Sequence, residues 1–85
     1  MHEIAMVEEL VNKLKEEAEK HKDAKISNIK VTIDKDDHLT PDNLKFLFEK
    51  MSKGTKVEGA YLLIEEAKGE GGLKIDSIEI EYSEK

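Results

Sequence analysis

Lys25-Ile26-Ser27-Asn28-Ile29-Lys30-Val31-Thr32-Ile33-Asp34 is the stretch whose period decides the fold. Within it Ile29, Val31 and Ile33 fall on one side and Asn28, Lys30 and Thr32 on the other. A period of two with one polar side is the pattern of a half-buried strand, so the sheet it joins is covered on one face only. Upstream the period changes. Ile4, Val7, Val11, Leu14 and Ala18 recur at three- and four-residue intervals, which draws the apolar stripe of an amphipathic helix. Its charged face includes Glu9 with Lys13 and Glu16 with Lys20, i,i+4 pairs expected to add about 0.2–0.5 kcal/mol each.

Downstream, Thr40-Pro41-Asp42 supplies a capping hydroxyl, a proline at the first helical position and an acid near the positive end of the helix dipole. A second helix is therefore predicted to run to about Lys53, burying Leu44, Leu47, Phe48 and Met51, with Gly54 free to take the left-handed conformation past its end. Residues 60–66 and 73–82 read as two further strands joined by Lys68-Gly69-Glu70-Gly71-Gly72, and are expected to pair antiparallel. Apolar parity shifts between Ile75 and Ile78, so a bulge near Asp76-Ser77, or a strand that starts late, is predicted. The fold class is α+β: a two-layer sandwich with two helices on one face of a three-stranded mixed sheet, in the order α-β-α-β-β. The local pattern lets the first strand lie beside the second or the third.

Composition narrows the function. At 85 residues the chain builds one core and one domain. Its net charge of -6 works against nucleic-acid binding, which draws most of its affinity from neutralising phosphates. All 14 basic residues are Lys, so the bidentate arginine fork for phosphate is missing. No apolar run approaches the roughly 20 residues of a membrane span and no secretory leader is visible, so no membrane partner and a cytoplasmic location are expected. With no cysteine there is no disulfide, no thiolate nucleophile and no Cys-ligated zinc. The glycines of 69–72 lie between strands instead of opening a helix, and no serine has a nucleophile's context, so the chain does not read as an enzyme.

Metal chemistry has a better footing. A strand returning antiparallel to the first helix brings Asp34, Asp36, Asp37 and His38 toward His2 and Glu3. Methionine removal favours a small second residue, so Met1 is expected to stay, leaving an amine, a backbone amide and the His2 imidazole within chelating reach. Three nitrogens in one plane suit Ni(II) and Cu(II), and Glu3 completes the square through its amide or carboxylate. A frayed, unligated terminus is the competing reading. His38 is either a solvated turn residue or a weak extra ligand, His21 meets the C-terminal dipole of the first helix, and Asp34 to Asp37 read as a solvated turn.

Met1-His2-Glu3-Ile4-Ala5 resembles the Met-His-Glu start of the HypA nickel chaperones, and the likeness runs almost end to end. Val31-Thr32-Ile33, the segment from Pro41 with Leu44-Lys45-Phe46-Leu47-Phe48-Glu49, Gly54-Thr55-Lys56-Val57-Glu58-Gly59-Ala60 and residues 73–81 are all similar to that family's pattern. The resemblance implies a single nickel-binding domain over residues 1–85, with Ni(II) held by Met1, His2 and Glu3. It further implies delivery toward a nickel enzyme such as NiFe hydrogenase, in partnership with a HypB-like GTPase and the enzyme precursor. In the family a zinc lobe with two Cys-x-x-Cys pairs stands between the last two strands; here the short turn 68–72 takes its place and no zinc is expected. The alternative is a metal-independent protein-interaction domain. An uncovered strand edge admits a monomer or a weak dimer.

Overall fold

The computed structural model describes residues 2–69 and 71–82, His2 by its backbone alone. Strand β1 (Ala24–Asp34) is the centre of a three-stranded sheet, flanked on one side by β2 (Tyr61–Ala67) in parallel and on the other by β3 (Leu73–Tyr82) in antiparallel. Helix α1 (His2–Lys20) precedes β1, and α2 (Pro41–Ser52) links β1 to β2, giving the expected α-β-α-β-β order. Ile29, Val31 and Ile33 are buried against Val7, Leu10, Val11 and Leu14 of α1 and Leu44 and Phe48 of α2. Asn28, Lys30 and Thr32 lie on the opposite, uncovered face.

β2 and β3 do not pair with each other; β1 lies between them. Two strands separated by a third are about 10 Å apart. A five-residue connection reaches up to roughly 17 Å, so the turn 68–72 is long enough to arch over the end of β1. β1 gains a ladder on both edges this way, whereas a direct β2–β3 hairpin would leave it at the rim. The parallel β1–β2 pair in turn requires a crossover, which α2 provides.

The predicted bulge is present: Ser77 pairs with Lys30 and Ile75 with Val31, leaving Asp76 over. A second irregularity falls at Ser27, between the pairs Ile26–Ile80 and Asn28–Glu79. It lets Ile26, three residues before Ile29, join the core. Ser27 Oγ donates to the Glu79 carbonyl at 3.3 Å and Asn28 Nδ2 to the Glu79 carboxylate at 2.6 Å, so side chains from β1 brace the irregular step.

At the start of α2 the Asn43 amide donates to Thr40 Oγ1 at 3.2 Å, with Pro41 in the first turn as expected. Removing that acceptor leaves a helix-end amide without its partner. Thr40→Ala is therefore expected to lower stability by about 1 kcal/mol, with Thr40→Ser close to wild type in thermal melts. Gly54 follows the helix with φ +79°, a left-handed backbone that other residues adopt only at a cost. On α1 Lys20 meets Glu17 instead of Glu16, at 3.2 Å, a three-residue spacing that lies as close on a helix as the four-residue one.

Candidate functional site

The first turns of α1 and the far end of β1 meet. Met6, Glu9 and Leu10 of α1, Asp37 of the loop after β1, and Gly72 and Leu73 at the start of β3 line one groove of about 580 Å³. Its existence follows from topology: α1 and β1 run in opposite directions, and the turn 68–72 brings β3 back to the same end. Glu3 stands in the first turn of α1, half-buried and already engaged with a neighbour. Of the other sequence-predicted ligands, Met1 and the His2 side chain lie outside the described residues, and the His2 backbone opens the helix.

The first amides of a helix have no intrahelical acceptor, so those of His2 and Glu3 are not consumed by α1 itself. A cation placed there meets the positive end of the helix dipole, so the ligands must bring negative charge of their own. Deprotonated amides and the Glu3 carboxylate are the groups that can do so. His38 is exposed in the loop, its amide donating to the Asp37 carboxylate at 2.9 Å, and it does not line the groove. Among the described residues no group of three or more His, Cys, Asp or Glu side chains converges as metal ligands would. His21 follows α1 rather than closing it, and its Nδ1 lies 3.1 Å from the Tyr82 hydroxyl, tying the end of α1 to the end of β3.

Asp34 is the residue that the sequence reading undervalued. It is not solvated but 8 % exposed, turned inward at the end of β1. Its carboxylate accepts from the Asp36 amide at 2.9 Å and from the Gly71 amide at 2.7 Å. Its own amide donates to the Gly72 carbonyl at 3.2 Å, and the Lys35 amide to the Ala67 carbonyl at 2.9 Å. One end of β1 thus clasps both ends of the turn that replaces a direct hairpin, and the left-handed backbone at Gly71 and Gly72 is what aims their amide and carbonyl at it.

The amides of Asp36 and Gly71 hold the Asp34 carboxyl below its ordinary value of 3.8, outweighing the opposing effect of burial. A carboxylate with a lowered folded-state pKa contributes stability that is complete above its unfolded value and disappears as pH falls through the folded one. The chain is therefore expected to lose stability below about pH 4, the ordinary carboxylate range. In Asp34→Asn, melts from pH 7 to pH 2 should begin lower and show a shallower acid limb. An unchanged acid limb would mean that the clasp does not contribute.

The chain is similar to known proteins in sequence and in fold. A family model described as hydrogenase/urease nickel incorporation, metallochaperone, HypA, covers residues 1–80. The hydrogenase maturation factor HypA of Methylocella silvestris is 34 % identical over 71 residues, 84 % of this chain and 63 % of its own length. Its counterpart from Lawsonia intracellularis is 35 % identical over 65 residues, 76 % of this chain and 55 % of its own. The chain thus spans between about half and two thirds of the curated relatives it matches. The solution structure of the Ni metallochaperone HypA from Helicobacter pylori superposes with a TM-score of 0.79 at 16 % identity, covering 95 % of this chain and 98 % of that one. At that identity the likeness concerns the fold, and the two-helix, three-strand arrangement is common to both. No helix among the described residues is long and apolar enough to cross a membrane. Taken with the Met-His-Glu opening, the family match over residues 1–80 places this chain in the HypA family of nickel-incorporation metallochaperones.

Proposed function

We propose that the chain is a nickel-binding module in which Ni(II) is carried as cargo by the Met1 amine, the His2 imidazole and the Glu3 end of the backbone. The observation that supports this most directly is the Met-His-Glu sequence itself, an amine, a backbone amide and an imidazole in consecutive residues, in a chain matched over residues 1–80 by a nickel-incorporation family. A four-nitrogen or three-nitrogen, one-oxygen square fits Ni(II), and copper competes because affinity rises along the Irving–Williams series. The cargo's destination in this reading is a nickel-enzyme precursor such as that of NiFe hydrogenase, with a HypB-like GTPase as co-worker; both are carried over from the resemblance to the family. The turn 68–72 stands where the family's zinc lobe is inserted, and the absence of cysteine leaves no thiolate set for zinc.

A second reading, a protein-interaction domain that needs no metal, draws on the uncovered sheet face with its exposed Tyr61 and Leu63. The two separate in a titration of Ni(II) into chain with an untouched N-terminus, beside a version whose Met1 amine is acetylated and so cannot open the chelate. A yellow, square-planar, one-to-one complex in the first and none in the second supports the nickel module. Equal binding, or none in either, transfers the case to the interaction domain.

A further inference from the structure

β2 bonds to β1 along one edge, and among the described residues no strand lies beside its other edge. An open edge is a template for another strand, and proteins that avoid pairing blunt it with charge or bulges. β3 is blunted in this way: Asp76 bulges out of the ladder, and Glu79 and Glu81 follow it. β2 is not. Its residues Tyr61, Leu62, Leu63 and Ile64 are apolar, and Tyr61 and Leu63 project on the uncovered face, 60 % and 46 % exposed.

We infer that β2 pairs antiparallel with β2 of a second copy of this chain, about a two-fold axis through Leu63, to form a six-stranded sheet. The register is dictated by the sequence. In a two-fold antiparallel pair the numbers of opposed residues have a constant sum, and centring on Leu63 sets Leu63 against itself. Leu62 then meets Ile64 of the second copy on the helix side, and Tyr61 meets its Glu65 on the uncovered side. Faces stay matched and no carboxylate opposes another. Centring on Ile64 would drive Glu65 against Leu63 and Glu66 against Leu62, while centring on Leu62 leaves only residues 61–63 of each strand overlapped.

Charge supports the same register. Glu65 is held 3.7 Å from Lys30 of the neighbouring strand, so its carboxylate is ready to accept from the Tyr61 hydroxyl of the second copy. On the helix side a groove of about 400 Å³ beside Phe48, Glu49, Ala60 and Leu62 flanks the edge, so α2 leaves it accessible. A five-residue overlap is a small interface, which puts the pair among weak, concentration-dependent associations. The groove at the start of α1 includes Leu73 and Lys74 of β3, on the opposite border of the sheet from β2, so pairing leaves both N-terminal ends uncovered. The inference does not rest on nickel.

Sedimentation equilibrium of the full chain over roughly 10 μM to 1 mM, without added metal, tests it. A monomer–dimer equilibrium is expected. Leu63→Lys and Leu63→Glu, both on the exposed face, should keep the wild-type circular dichroism spectrum and each raise the dissociation constant at least about tenfold, because like charges meet on the axis. Mixing the two in equal amounts should restore dimers, and Ser77→Lys on β3 should leave the equilibrium unchanged. A wild-type chain that stays monomeric at the highest concentration overturns the inference, as does a dimer undiminished in Leu63→Lys or abolished by Ser77→Lys.

Discussion

His2→Ala is expected to weaken nickel binding by at least roughly 100-fold, since even outer-shell partners of a metal ligand are worth about 10–100-fold. In the proposed site the imidazole closes the chelate begun by the terminal amine and the intervening amide. His38 is the rival ligand that the sequence offers, yet it lies exposed in the loop after β1 with its amide turned to Asp37. His38→Ala should therefore change the affinity by less than tenfold. The readout is the square-planar visible band together with calorimetric stoichiometry, and His38→Ala should keep the wild-type melting temperature, because His38 is exposed. Equal losses in the two variants would relocate the site to the loop, and retention in both would remove it from the N-terminal end.

Leu14→Ala should cost roughly 3 kcal/mol, within the 2–5 kcal/mol range for buried leucines. Leu14 is 0 % exposed in the middle of α1, where it packs into the cluster formed by both helices and β1. Domains of this size have total stabilities of about 5–15 kcal/mol, so the loss is a large share and should lower the melting temperature by roughly 15 °C. Lys15, one position on and exposed, gives the control: Lys15→Ala should stay within about 0.5 kcal/mol of wild type. A Leu14→Ala chain melting within a few degrees of wild type would mean that α1 is not docked as described.

How far the sequence could be read depended on whether the signal was local. The alternation of Ile29, Val31 and Ile33 located β1 and its covered face because burial acts on each side chain separately. Thr40 and Pro41 marked the start of α2 for the same reason, since a cap is satisfied within three residues. The bulge at Asp76 is visible in the three-residue step from Ile75 to Ile78, and the identical step from Ile26 to Ile29 marks the irregularity at Ser27. Strand order was another matter. Whether β3 joins β2 or β1 depends on which edge offers the longer ladder, and no short window of residues contains that comparison.

The candidate site divides in the same way. Met1, His2 and Glu3 stood out through chemistry carried by three consecutive residues, and their family resemblance is matched by the family assignment over residues 1–80. Asp34 was read as one acid among several in a turn. Its partner, the Gly71 amide, is 37 residues away, and the only hint was a strand-ending acid in a chain that also has a glycine-rich turn. A buried carboxylate needs donors, and the glycines, with backbone amides unobstructed by side chains, were the available ones.

The central position of β1 also sets a timetable. β1 leaves the ribosome before either strand that will flank it, and Ala24 at its beginning has to wait for Tyr82 at the end of β3. Until then α1, β1, α2 and β2 can assemble only a half-closed unit whose isoleucine-bearing strand has one raw edge. Long-range pairing of this kind slows folding, and an unpaired central edge is where nascent chains aggregate. Translation arrested anywhere before Leu73 would therefore release a product that is not a smaller version of the domain but an adhesive precursor of it.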